Sequence, residues 1–210
     1  MVLTLNRHEM EDIREIARGF GVHFRLDPVI SPRLDGDKAP LRLRVPPREA
    51  VEAEMSDTDR LKRWREYFQT RKGIERTDAL YQCGAGMSGF HIDPYGTLRP
   101  CLMATEPSYD LLDGSFREGW REVMPRIREK MPRAGFPCKS CGKAELCGCC
   151  PAFFGLENGE EDVRSEYLCA IGQRRFETIM GDGAGAPLKG DRHESREQHG
   201  PEAALQQAQA

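Results

Sequence analysis

The sequence has no long apolar run and no large excess of charge of either sign. Its 210 residues carry a formal net charge of only -3, although 31% of them are charged. Such a balance gives no overall field that would attract nucleic acid or anionic lipid. No stretch approaches the length of a membrane span, and the first residues lack the basic and apolar regions of a signal peptide. We therefore expect a cytoplasmic protein whose partners include neither nucleic acid nor a membrane.

Cysteine is absent from the first part of the chain and concentrated in the second. All eight cysteines lie between Cys83 and Cys169. Disulfides do not persist in a reducing compartment, so a cluster of this density is better explained by metal thiolates than by bridges. The sequence therefore predicts metal binding.

The spacing of the cysteines fits two kinds of metal centre. In chain order they are Cys83, Cys101, Cys138, Cys141, Cys147, Cys149, Cys150 and Cys169. A C-x2-C pair lets two thiolates converge from a tight turn on one centre, and such pairs serve both zinc sites and iron–sulfur clusters. Spacing alone leaves both zinc and iron–sulfur binding open. One zinc alternative is a pair of zinc ribbons whose only role is to stabilise a small fold.

Local patterns predict helices and one strand in the first 80 residues. Asn6 and Glu9 have capping-box spacing before an amphipathic helix, and residues 23–27 alternate as in a short strand. Residues 31–48 are rich in turn formers and predict a loop. A helix then restarts near Arg48 and runs to about residue 70, with a break at Ser56-Asp57.

The cysteine-rich part contains one clear turn and one interrupted helix. The sequence Asp93-Pro94-Tyr95-Gly96 between two short apolar segments predicts a β-hairpin. Ser115 and Glu118 form a second capping box, and Pro125 should kink or interrupt the helix that follows. Residues 181–210 are polar and glycine-rich, which predicts a disordered tail.

Four segments in this region share one resemblance. They are Cys83-Gly84-Ala85-Gly86, the run from Ile92 to Cys101, residues 138–152 and Tyr167-Leu168-Cys169. Together, over roughly residues 81–176, they resemble the SPASM domain of radical-SAM enzymes that modify ribosomal peptides. The resemblance implies two [4Fe–4S] clusters with interleaved ligands.

The ligands implied by the resemblance divide into two sets. Cys83, Cys101 and Cys150 would serve the first cluster, and Cys138, Cys141, Cys147 and Cys169 the second. In the commonest family spacing three residues separate the last two cysteines of the central run, whereas here Cys147 is followed by both Cys149 and Cys150. Cys150 is favoured because Pro151-Ala152 follows it, which leaves Cys149 as a bystander or as a fourth ligand of the first cluster.

The expected fold is α/β to α+β. Residues 1–45 would be the last helix–strand units of a partial α/β barrel and residues 46–80 a linking helix. Residues 81–180 would form the SPASM domain, a β-hairpin with helices and loops around the two clusters. Residues 181–210 would follow as the tail.

The resemblance also limits the expected activity. No C-x3-C-x2-C loop is present, so S-adenosylmethionine would act only through a missing or separate domain, and the chain would be inactive alone. The implied partners are a precursor peptide or a separate radical-SAM subunit. Two other functions remain open: a zinc-stapled interaction domain, and an electron-transfer partner acting in trans.

Overall fold

The computed structural model describes residues 1–74 and 76–181, and within them the fold is mainly helical with one small antiparallel sheet. The α-helices are α1 (Met10–Gly19), α2 (Pro47–Met55), α3 (Thr58–Arg71), α4 (Phe116–Glu118), α5 (Ala144–Cys147), α6 (Pro151–Asn158) and α7 (Glu166–Met180). The strands are β1 (His91–Ile92), β2 (Thr97–Arg99) and β3 (Tyr109–Asp110). Of the expected disordered tail, residues 182–210 lie outside the described residues. None of the described helices is both long and apolar enough to cross a membrane.

The strand predicted at residues 23–27 is wrong. This segment has an irregular conformation and forms no β-ladder with another described segment. A strand needs a neighbour that takes its backbone bonds in series, whereas here the Val2 N–H donates a single bond of 3.0 Å to the Asp27 carbonyl. Leu26 is buried all the same, so apolar packing and not sheet pairing fixes the segment.

The capping box predicted at Asn6 and Glu9 is also wrong. Asn6 Oδ1 accepts a 2.8 Å bond from the Leu3 N–H, which precedes it in the chain. Arg7–Glu9 form a 3-10 turn, and α1 begins only at Met10. A local side-chain bond has thus replaced the helical cap.

The break predicted at Ser56-Asp57 is confirmed. The α2 helix ends at Met55, and the Asp57 carboxylate accepts bonds from the backbone N–H groups of Asp59 and Arg60 at the start of α3. An aspartate in this position satisfies donors that have no partner within the helix. The predicted helical region is therefore two helices, of which the second begins with an aspartate cap.

The β-hairpin is confirmed and extended by a third strand. His91 pairs with Arg99 and Ile92 with Leu98 across an antiparallel ladder. Gly96 closes the turn with a φ of +89°, a conformation that residues with a Cβ rarely adopt. β3 adds to the other edge of β2, with Leu98 opposite Tyr109, and no pattern in the sequence predicts this strand.

The helix expected after Ser115 is short and irregular. Ser115 Oγ accepts from the Glu118 N–H, so this cap is confirmed. Only Phe116–Glu118 are α-helical; a π-helical turn, Gly119–Val123, and a 3-10 segment, Met124–Glu129, follow. The change to 3-10 geometry falls next to Pro125, where a donor is missing.

One apolar core joins the start of the chain to the cysteine-bearing helices. Met10 and Leu26 belong to the same buried cluster as Leu146 of α5 and Ile171 of α7. A buried ion pair reinforces the contact: Glu54 of α2 and Arg175 of α7 form two hydrogen bonds of 2.7 and 3.1 Å. The expected linking helix, residues 46–80, thus contributes α2 and α3 to this core through Ala50, Val51, Met55 and Phe68.

Candidate metal centre

Four of the eight cysteines line one cavity. Cys138, Cys141, Cys147 and Cys169 contribute to the wall of a cavity of about 170 Å³. They are the four residues that the resemblance implies for the second cluster. We call them the second cysteine group.

Local structure explains how residues far apart in sequence reach this cavity. The Cys141 N–H lies 3.4 Å from the Cys138 carbonyl, and the Ala144 N–H donates to the Cys141 carbonyl at 3.2 Å. These tight turns lead directly into α5, which ends with Cys147. Cys169 comes from the first turn of α7, whose Ser165 cap accepts from the Leu168 N–H.

The α5 and α7 helices approach closely because Gly172 has no side chain. A Cβ placed on Gly172 would lie 2.5 Å from the Cys147 Cβ. No real Cβ contact is that short, so any larger residue would push the helices apart. Gly172 therefore sets the position of Cys147 relative to Cys169 on the neighbouring helix.

Burial and mutual proximity affect the ionisation of these thiols. Burial, reinforced by Cys138, Cys141 and Cys169, raises the pKa of Cys147 to about 12. The neighbouring Cys149 and burial raise the pKa of Cys138 well above its usual value. Metal binding displaces such protons, since the thiolate is the ligand. Lys143 and Arg164 also line the cavity and would offset the resulting negative charge.

A second set of cysteines lies together in another part of the molecule. Cys101 and Cys150 both pack against the buried cluster that contains Tyr81 and Ile127. Burial raises the pKa of Cys150 to about 11, and both Cys101 and Cys83 add to the rise. These three residues, which we call the first cysteine group, are the set that the resemblance implies for the first cluster.

The loop after Cys83 is held against the end of the hairpin. The Gly86 N–H donates to the Pro100 carbonyl at 3.1 Å, beside Cys101. Gly86 has a φ of +67°, and a Cβ there would meet the Met124 carbonyl oxygen at 2.7 Å. Arg128 further anchors the loop by donating to the Cys83 carbonyl. Cys83 itself is exposed.

Cys149 lies near the second cysteine group without lining its cavity. Its pKa is lowered, chiefly because the Cys138 thiol donates a hydrogen bond to it, although burial acts in the opposite direction. It packs among Phe153, Phe154 and Leu168. The structure therefore places Cys149 beside Cys138 and places Cys150 with Cys101.

The arrangement does not form a ready site for a single ion. No group of three or more His, Cys, Asp or Glu side chains in residues 1–74 and 76–181 is arranged to hold one metal ion. A tetrahedral zinc site has Zn–S bonds of about 2.3 Å, which bring its sulfurs to within about 4 Å of one another. An iron–sulfur cluster separates its thiolates further, because iron and sulfide atoms lie between them.

The cavity lined by the second cysteine group has room for more than one ion. At about 170 Å³ it is comparable with the cavity of about 150 Å³ that holds a benzene molecule in a protein core. Such a space exceeds the needs of one ion. Four thiols around a space of this size fit a [4Fe–4S] cluster, and the same donors would also serve zinc.

Sequence reasoning missed the residues that support the second cysteine group. In the sequence nothing distinguishes Lys143 and Arg164 from the other charged residues, and only the fold brings them to the cavity. Gly172 lies within a helix, where glycine is unfavourable, and that anomaly was the available signal.

Comparison of the chain with family models, curated proteins and solved structures yields no match.

Proposed function

We propose that this chain is an iron–sulfur protein with a SPASM-type domain that binds two [4Fe–4S] clusters. The observation that carries the proposal is the convergence of Cys138, Cys141, Cys147 and Cys169 on one cavity large enough for a cluster. The separate gathering of Cys83, Cys101 and Cys150 supports the second half of the proposal. The two groups match the ligand sets implied by the sequence resemblance.

The clusters would supply one-electron chemistry, and the protein would supply the ligands and the environment. Burial and nearby charge set the potential of such a centre. Lys143 and Arg164 at the second group would favour the more negative, reduced form. The exposed Cys83 leaves the first group closer to solvent.

The chain would act as the cluster-bearing part of a peptide-maturation system. Because it has no C-x3-C-x2-C loop, cleavage of S-adenosylmethionine would depend on another domain or subunit. The natural co-substrate of such a system is a precursor peptide. On this account the isolated chain releases no 5′-deoxyadenosine.

The first prediction concerns the partition of the cysteines. Anaerobic reconstitution should load about eight iron atoms per chain, and Cys141→Ser and Cys83→Ser should each reduce the content to about four, since each residue serves one cubane. Iron and sulfide analysis of the three proteins measures this directly.

Electron paramagnetic resonance of the reduced variants provides the control. The two single variants should show different residual signals, each from the one cluster that remains. Complete loss of iron in both variants would contradict the partition into two groups.

A further inference from the structure

An open groove of about 720 Å³ lies on the face formed by α3 and the segment that precedes Pro28. Its walls combine arginines with aromatic rings: Arg25, Arg60, Arg63, Phe24, Trp64 and Tyr67. We call this feature the arginine–aromatic groove. Its volume falls in the usual range for ligand sites, which are lined by apolar and aromatic groups with a few polar ones.

The groove carries unbalanced positive charge. Arg60 and Arg175 both bond to the single carboxylate of Glu54, which is 1% exposed. Arg25 and Arg63 are exposed and form no ion pair with any described residue. Two guanidinium groups therefore remain available to an anionic ligand.

The one acidic residue in the groove wall is already engaged. Glu145 accepts a 3.0 Å bond from the Tyr67 hydroxyl and lies 3.6 Å from the Arg71 guanidinium. It therefore does little to neutralise Arg25 and Arg63. Bidentate carboxylate recognition is a role for which arginine geometry is well suited.

The aromatic part of the groove is held by contacts within the fold. Trp64 and Tyr67 meet edge to face, with ring centroids 5.7 Å apart. The Arg175 guanidinium stacks 4.6 Å from the Trp64 ring centroid while its own hydrogen bonds fix it to Glu54. A ligand with an apolar or aromatic side chain would find a preformed surface here, at low entropic cost.

We propose that the arginine–aromatic groove binds an acidic peptide segment, with carboxylates on Arg25 and Arg63 and an aromatic side chain against Trp64 and Tyr67. The groove wall also includes Gly148, which lies between Cys147 and Cys149, so a bound peptide sits next to the second cysteine group. The inference goes beyond the proposed function and holds whichever metal the cysteines bind.

Charge favours a peptide over a nucleic acid as the occupant. A protein that binds nucleic acid tightly makes several phosphate contacts, whereas this groove offers two unpaired arginines. A short peptide with two or three carboxylates matches the available groups.

Binding can be measured with the full chain and a dye-labelled peptide of alternating Glu and Phe. A double variant that reverses both free charges, Arg25→Glu with Arg63→Glu, should bind the peptide more weakly. Its Kd should rise by at least about tenfold, equivalent to about 1.4 kcal/mol. The matched control reverses Arg18 and Arg121, two exposed arginines outside the groove. This control should change the Kd by less than about twofold, because distant surface charges are screened by salt.

Position within the groove has its own readout. The chain has two tryptophans, so Trp120→Phe leaves Trp64 as the sole reporter, and peptide binding should change its emission. The proposal is overturned if the Glu–Phe peptide does not bind or if a Lys–Phe peptide binds equally well. It is also overturned if the groove double variant and the control double variant weaken binding equally. Unchanged Trp64 emission on binding, or tighter binding of a single-stranded oligonucleotide with the same dependence on Arg25 and Arg63, would also overturn it.

Discussion

At the scale of single residues, the question left open by the sequence is which of two adjacent cysteines belongs to the first cysteine group. Cys150 packs with Cys101 against Tyr81 and Ile127, whereas Cys149 lies beside Cys138. Neighbouring residues of an extended chain point to opposite sides, and the backbone at Cys150 is extended, with φ of -123° and ψ of 102°. The two thiols therefore face different cysteine groups: Cys150 lies with Cys101, and Cys149 lies beside Cys138.

This separation gives a prediction for the two serine variants. Cys150→Ser should lower the iron content of the reconstituted chain from about eight to about four atoms, because it removes a ligand of one cubane. Cys149→Ser should retain nearly all of the iron, because Cys149 does not line the cavity. Metal analysis with sulfide determination checks both variants under the same conditions. Greater loss from Cys149→Ser than from Cys150→Ser would reverse the assignment.

At the scale of elements, the contact between α5 and α7 has the most direct bearing on the second cysteine group. It brings Cys147 and Cys169 to one cavity, and it depends on the absence of a side chain at Gly172. Alanine has a higher helix propensity than glycine by about 1 kcal/mol. A loss of function on Gly172→Ala would therefore come from packing and not from the helix itself.

We predict that Gly172→Ala displaces α5 and removes the second cluster while leaving the first. The iron content should fall to about half of the parent value, near four atoms. Gly142→Ala is a matched control in the same region, because a Cβ at Gly142 meets no atom within 4 Å and its φ is not positive. Iron analysis and thermal unfolding of both variants decide the point. Equal iron content in the two variants would show that the helix contact does not position the ligands.

Local chemistry made some elements predictable from the sequence and left others hidden. The hairpin and the break at Asp57 follow from turn and cap residues, whose partners lie only a few positions away. The prediction of a strand at residues 23–27 failed because alternation of apolar and polar residues indicates which side chains are buried. It does not indicate whether a neighbouring strand exists to pair with. β3 was not predicted for the converse reason. Its two residues carry no strand pattern of their own, and only their pairing with β2 defines the strand.

The candidate site shows the same division. The spacing of the central run predicts that Cys138 and Cys141 lie near one another, because only a tight turn separates them. The approach of Cys169 and the roles of Lys143 and Gly172 depend on how α7 packs. Such long-range contacts leave little local pattern in a single sequence, and the glycine inside α7 is the one signal among these residues.

At the scale of the whole molecule, the start of the chain is tied to the cysteine region on one side only. Met10 and Leu26 are buried in the shared core. The other face of α1 presents Ile13, Ile16 and Phe20, of which Phe20 is 79% exposed. Exposed apolar patches often mark interfaces, and under the proposed function a radical-SAM subunit acting in trans would dock on this stripe.

Hydrogen exchange should reveal this asymmetry. The α1 helix has 10 residues, and only Met10 of these is buried, whereas α7 buries residues along its length. Helices as short as α1 are marginal without tertiary packing, so its amides should exchange much faster than those of α7. Mass spectrometry of the purified monomer measures both. Equal protection of α1 and α7 would show that the exposed stripe does not weaken the helix.

Metal analysis of the chain purified anaerobically, from cells supplied with both iron and zinc, tests the central claim most directly. The account predicts about eight iron atoms and about eight sulfides per chain, four of each for each cubane, with zinc near background. Stoichiometric zinc with negligible iron and sulfide would contradict it and identify the two cysteine groups as zinc sites.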